Sequence, residues 1–219
     1  MTGEVGPRDR RTQQRALQTR AALITAAVES LKDVGFAGTT ARGIATRAKC
    51  HQSQVFYHFD SVHGLLLAAL DDVSERRMTT YRALLEEATT SGDLLASAHE
   101  VIRQDLDSGD VAVLVEMMAG ARSVPGLGAQ VTARLEPWHE FAADAIRLAL
   151  RPHPWAAPAP IDDLAHALVA GVLGLELLAE TSGDRDRTTS LFEKFDGLAA
   201  LGELLTRKDQ SWPTPHPPP

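Results

Sequence analysis

The chain has 219 residues, 44% apolar and 23% charged, with one cysteine, Cys50. That is enough chain for one large domain or two small ones with a real core, and it leaves no intrachain disulfide framework, which fits a reducing compartment. No stretch approaches the roughly 18 uncharged apolar residues of a membrane span, and the polar, basic start lacks the apolar segment of a secretory signal, so the expectation is a cytoplasmic protein.

Charge is unevenly placed. Residues 1–60 hold nine Lys/Arg against five Asp/Glu, a net of +4, while the whole chain is −7, so residues 61–219 carry −11. A basic head on an acidic body suits a head that meets a polyanion, although solvated helices show similar asymmetry.

Residues 1–16 are polar and read as a disordered basic arm. From Leu17 the apolar positions Leu17, Ala21, Ile24, Val28 and Leu31 recur at three or four residues, which marks one helical face. Gly35 is the expected left-handed stop. Thr39 or Thr40 offers an N-cap for a short helix carrying Ile44, Ala45 and Ala48. A second short helix follows around 51–59, with Val55, Phe56 and Phe59 as its apolar contacts. Asp60 or Ser61 then caps a longer helix that ends near Thr90 to Gly92. Further helices are expected from Asp93 to about Leu106 and from Asp110 to about Arg122. After the break at Pro125 to Gly128, a longer helix runs to about Arg151, kinked at Pro137. The proline-rich stretch 152–160 is a loop. Helices from Pro160 or Ile161 to about Glu180 and from Thr189 to about Arg207 precede a disordered, proline-rich tail over 208–219. With no strand-like alternation of useful length, the fold class is all-α.

Two short helices joined by a tight turn inside a basic head suggest a helix-turn-helix. The motif needs a small residue where the helices cross, a turn residue tolerant of positive φ, and a branched apolar residue locking the second helix. Ala45, Lys49 and Val55 stand at those spacings. Lys49 departs in type, because glycine is expected there and a lysine in that conformation costs ~1–2 kcal/mol.

The segment 35–70 carries Gly35-Phe36, Thr39-Thr40, Ile44-Ala45, Ala48 and Phe56-Tyr57-His58-Phe59, followed by Ser61 and Leu65-Leu66. It resembles the N-terminal DNA-binding domain of the TetR family of bacterial transcriptional regulators. The resemblance implies a three-helix head over 17–60 and a six-helix body over 61–207 that binds a small ligand and dimerises, with ligand binding shifting the fourth helix. It also exposes departures: His51 stands where a capping serine is usual, Ser53 where glycine is frequent, and Val62 where a phosphate-binding lysine is common.

On that reading the second helix of the motif enters the major groove of double-stranded operator DNA, and His51, Gln52, Ser53 and Gln54 are the candidate base readers. Glutamine pairs bidentately with adenine, but Gln54 also occupies the place of a capping-box partner. Arg42 reaches a guanine or a phosphate, or is an ordinary solvated arginine. Thr40, Lys49, Tyr57 and His58 match positions that hold phosphates and fix register, and His58 equally suits a structural role at the turn into the next helix. The arginines of the arm add phosphate or minor-groove contacts, or keep a tail soluble. Cys50 reads as a small buried hydrophobe, with a redox role as the alternative.

In the body, His99, Arg103, Met117, Met118, Arg122, Trp138, His139 and Phe141 are the candidate ligand contacts, polar or adaptable groups on helices expected to surround a cavity. The segment 161–180 is apolar nearly all round, and 189–207 shows Leu191, Phe195, Leu198, Leu201 and Leu205 on one face. A helix apolar on every side needs two partners, and with the resemblance this gives a homodimer through 161–180 and 189–207. No HExxH, GxSxG, Walker loop or CxxC is present, so no enzyme, metal or cofactor is expected. The functional expectation is a regulator, a repressor released from a palindromic operator by a small molecule. Its rivals are a constitutive DNA-binding protein and a small-molecule-binding or enzymatic module whose head no longer reads DNA.

Overall fold

Helix α1 begins at Pro7 and is assigned to Gly38. The computed structural model describes residues 7–88, 91–150, 159–183 and 190. The expectation of an unstructured arm as far as residue 16 gives way, over 7–16, to ten further residues of helix. Proline at a first helical position costs no intrahelical bond, and the Arg, Gln, Ala and Leu residues after it are good helix formers with no glycine among them. The helix proper stops at Gly35 (φ 68°, ψ −178°), where the sequence places it.

Eight further helices follow among the described residues: α2 (Ala41–Arg47), α3 (Ser53–Phe59), α4 (Val62–Glu87), α5 (Ser91–Ser108), α6 (Asp110–Ala121), α7 (Leu127–Ala133), α8 (Glu136–Leu150) and α9 (Ile161–Ser182). The fold is all-α, with the helix-turn-helix at its N-terminal end. Local chemistry sets the boundaries. Thr40 caps α2, its hydroxyl accepting from Gly43 N at 3.1 Å, while the Thr39 hydroxyl donates to Gly35 O at 2.6 Å. Of Asp60 and Ser61 it is Ser61 that caps α4, accepting from Gly64 N at 2.9 Å.

The expected long helix kinked at Pro137 is two helices. The N–H groups of Arg134 and Leu135 bond three residues back, to Val131 and Thr132, which tightens and ends α7. Pro137 falls in the first turn of α8, where its missing N–H breaks nothing. The expected helix 189–207, the tail and most of the 152–160 loop lie outside the described residues.

A single hydrophobic core joins head and body. It contains Leu23, Ala27 and Leu31 of α1, Ile44 and Ala45 of α2, and Val55 of α3. It continues through Leu65, Leu66, Leu70 and Val73 of α4 and Val113 and Met117 of α6 to Leu127 and Val131 of α7. A smaller apolar cluster, Ala142, Ala143 and Ala165, holds α8 against α9. Among the described residues no helix is long and apolar enough to cross a membrane.

α1 is also clamped to α6 by polar bonds. The Lys32 ammonium donates to Asp110 Oδ1 at 2.6 Å and to Ser108 O at 2.8 Å, and Phe36 N donates to Glu116 Oε2 at 2.7 Å. Phe36 itself lies flat on Gly120 of α6 and stacks on His63 of α4, with centroids 5.9 Å apart.

Candidate nucleic-acid interface

The turn between α2 and α3 is built by backbone geometry. Lys49 has φ 54°, the left-handed conformation the spacing demands, and Cys50 N donates to Ala45 O at 3.0 Å to close it. Ala45 is 2% exposed and Val55 fully buried, so the small residue and the branched residue lock the crossing as expected. Cys50 is half-buried against the same core, and burial pushes its thiol pKa up, away from the reactive thiolate. Replacing Lys49 by glycine should relieve the ~1–2 kcal/mol of left-handed strain and return part of it through the freer unfolded chain. The expected net is a gain of about 0.5–1 kcal/mol, read as a higher denaturant midpoint at unchanged slope.

The first turn of α3 carries an unusual cap. No side chain of Gln52, the formal N-cap, bonds to the helix. Instead Nδ1 of His51 accepts from Ser53 N at 3.3 Å and meets the Ser53 hydroxyl at 2.8 Å, while Gln54 N donates to His51 O at 2.9 Å. Nδ1 of His51 thus stands where a capping oxygen would at the start of α3. The cap bond therefore comes from the His51 ring rather than from Gln54.

Thr40, Arg42, Lys49, His51, Gln52, Ser53 and Tyr57 are all exposed, whereas Gln54 and His58 are half-buried. Tyr57 is 76% exposed, its ring edge-on to His58 at 4.9 Å. The nine sequence-derived positions thus lie on one short stretch, Thr40 to His58, around one turn. Phe56 differs from expectation. It is 47% exposed, because a seven-residue helix has room for one buried i, i+4 pair, here Val55 and Phe59, and Phe56 points a quarter turn away. Arg47 is not free for such a surface, since it bridges Asp33 at 2.6 Å and Glu29 at 3.3 Å on α1.

With this geometry in place, the family model described as "Bacterial regulatory proteins, tetR family" matches residues 23–69. The match covers the helix-turn-helix head and the start of α4, so it is this N-terminal domain that is similar to the family. Uncharacterised HTH-type transcriptional regulators of Mycobacterium tuberculosis and Mycobacterium bovis are 30% identical to it over 115 residues, 52% of this chain. The chain covers 58% of the length of those curated relatives. Solved structures share the fold. A TetR-family regulator from Rhodococcus superposes with a TM-score of 0.69 at 21% identity, covering 84% of this chain and 97% of its own. A transcriptional regulator from Pseudomonas aeruginosa gives 0.68 at 21%, covering 90% and 93%. A regulator from Saccharomonospora viridis, solved in complex with choline, gives 0.67 at 20%, covering 80% and 94%.

Among the described side chains, the body does not gather the candidate ligand residues into one place. Met117 is fully buried in the shared core, while Met118 and Arg122 are exposed on and just after α6. Arg103 is exposed and paired with Glu100 at 2.7 Å and Asp107 at 3.4 Å. His139 stacks on His166 at 5.3 Å in a surface groove of about 510 Å³ between α8 and α9. The side chain of His99 lies outside the description. Among the described side chains of that set, only Trp138 and Phe141 come together, each against Tyr81, at 5.4 and 5.8 Å between centroids.

What they meet is a buried polar cluster that sequence reading missed. Arg77 and Tyr81 of α4, Asp105 of α5 and Glu176 of α9 converge there, with Arg77, Asp105 and Glu176 side chains 11, 6 and 4% exposed. Arg77 and Tyr81 both donate to Asp105 Oδ2. The guanidinium also donates to the Tyr81 oxygen at 3.1 Å, stands 4.0 Å from Glu176 Oε1, and lies over the Trp138 ring at 4.8 Å. Burial works against its charge, but Tyr81, Asp105 and Glu176 outweigh burial, so the pKa sits above the ordinary arginine value. Burial likewise holds the Tyr81 hydroxyl protonated beyond its usual range. A signal existed. Arg77 falls at i+4 from Val73 and i−4 from Tyr81 on the apolar face of α4, and Glu176 is the one charge between Leu164 and Ala179.

Proposed function

We propose that the chain is a sequence-specific DNA-binding transcriptional regulator whose α3 enters the major groove of double-stranded operator DNA. The observation that carries the reading is the first turn of α3. His51, Gln52 and Ser53 stand exposed on a helix N-terminus held by a left-handed turn, and such positions reach base edges in this motif. The His51 ring offers its Nε2 and Gln52 a donor–acceptor amide, the pairing groups for guanine and adenine edges. Thr40, Arg42, Lys49, Tyr57 and His58 surround them as backbone contacts, and exposed Phe56 adds an apolar surface of the kind that meets a thymine methyl.

The regulator works as a homodimer through 161–180 and 189–207, reads a palindromic operator, and is released by a small molecule bound in the body. The exposed stripe Leu164, Leu168 and Leu178 on α9 supports the dimer, since a two-fold axis buries the same apolar patch on both copies. Choline in the Saccharomonospora viridis regulator makes a compact organic cation a first effector to screen. Release requires the effector to prefer the conformation that does not bind DNA.

Fluorescence anisotropy on DNA from upstream of the chain's own gene, against scrambled DNA, tests the reading. Tyr57→Ala should weaken both duplexes alike. Gln52→Ala should lose about 1–3 kcal/mol on the operator only and shift base preference at one position. Equal losses on operator and scrambled DNA for both variants would remove α3 as the reader.

A further inference from the structure

We infer that the N-terminal extension of α1 is a second DNA contact, a helical arm whose unneutralised arginines lie along backbone phosphates beyond the groove that α3 occupies. The inference rests on the DNA-binding reading above and deepens it.

The extension is rigidly rooted beside the reading helix. Arg20 stacks over Phe59, the last residue of α3, with its guanidinium 5.0 Å from the ring centroid. Ten residues separate Arg20 from Arg10, and at about 1.5 Å per residue the arm projects about 15 Å from that anchor. Arg11, Gln14, Arg15 and Gln18 fall at i, i+3, i+4 and i+7, so they share one face, and all four are exposed. Fifteen ångströms spans four or five phosphates of one strand at about 3.4 Å each.

Charge pairing distinguishes this surface from a merely solvated one. Exposed arginines of the body are mostly neutralised by a neighbour: Arg76 by Asp72 at 3.1 Å, Arg103 by Glu100, Arg134 by Asp71 at 2.6 Å and Arg147 by Asp144 at 2.9 Å. Arg82 and Arg122 are the exceptions, and they stand singly. On α1 no carboxylate occurs between positions 10 and 28, and Arg10, Arg11 and Arg15 have no ion pair among the described residues. A soluble helix face interleaves both signs. This one presents a single sign, on the helix of the basic head whose Arg20 meets Phe59 of α3. A polyanion continuous with the α3 site satisfies it.

Phosphate contacts are sequence-independent, so a long random-sequence duplex is a sufficient probe. The Arg11→Gln/Arg15→Gln double variant keeps helix propensity and should lower the slope of log K against log salt by about 1.8, at ~0.9 per phosphate contact. The operator-to-random preference should stay unchanged. Arg11→Lys/Arg15→Lys should restore most of the slope, and Arg76→Gln, on the body, should leave it at the wild-type value. A double variant that binds random duplex with the wild-type slope overturns the arm while leaving α3 as the reader. A wild type with no salt-sensitive duplex binding overturns both.

Discussion

Arg77→Met should lower the unfolding free energy by about 3–5 kcal/mol, the cost of leaving a buried carboxylate facing no cation. Asp105 loses its cation, though not the Tyr81 hydroxyl, while staying 6% exposed, and Trp138 and Tyr81 lose the guanidinium that lies against them. Against a total stability of about 5–15 kcal/mol that is a large fraction. The cost belongs to the orphaned charge and not to the size of the side chain, because methionine fills similar space. Adding Asp105→Leu to Arg77→Met should therefore recover the share of the loss that Asp105 carries, with Glu176 still deprived of Arg77, whereas two independent packing defects would add. Chemical denaturation of the wild type, the single variant and the double variant decides. A double variant less stable than the single by a further several kcal/mol would show that the cluster is held by shape and not by charge.

Gly120→Ala should cost about 1–3 kcal/mol or more, the range for overpacking. A Cβ at that position would lie 2.0 Å from Phe36 Cγ, with two further ring atoms at 2.1 and 2.4 Å. Phe36 has little room to yield, since its ring also stacks on His63 and its own N–H is bonded to Glu116. The damage falls where α1 meets α6, so DNA affinity should drop along with stability, although Gly120 lies on the body. Phe36→Leu should rescue Gly120→Ala in part. A double-mutant cycle with no coupling between positions 36 and 120 would dissolve the contact.

The head was legible in the sequence because its constraints are local. Gly35, the Thr40 and Ser61 caps, the left-handed residue at Lys49 and the Ala45–Val55 crossing each act within a few residues of chain, and the candidate reading surface follows from them. Phe56 was misjudged because in a two-turn helix every apolar residue looks like core. The length of α1 was missed because polarity was taken for disorder, while its residues are good helix formers. The interior of the body was hardest to read. Arg77, Asp105, Trp138 and Glu176 lie on four helices, brought together by how those helices cross, and no spacing within one segment records that. Arg103 and Met118, chosen for polarity and adaptability, are exposed, while the buried charges Arg77 and Glu176 sit on apolar faces.

The Phe36–Gly120 contact bears on how freely such proteins exchange parts. A head borrowed from a relative and joined to this body at the end of α3 would bring its own residues at positions 32, 35 and 36. Each of these meets a particular partner on α6 or just before it: Asp110 with Ser108 O, Glu116, and Gly120. Such a chimaera keeps its recognition surface and mismatches its joint. A borrowed head therefore fits this body only when α4 and α6 travel with it, since Phe36 also stacks on His63 and α4 shares the core, which makes the exchangeable unit a discontinuous one, residues 7–87 together with 110–121.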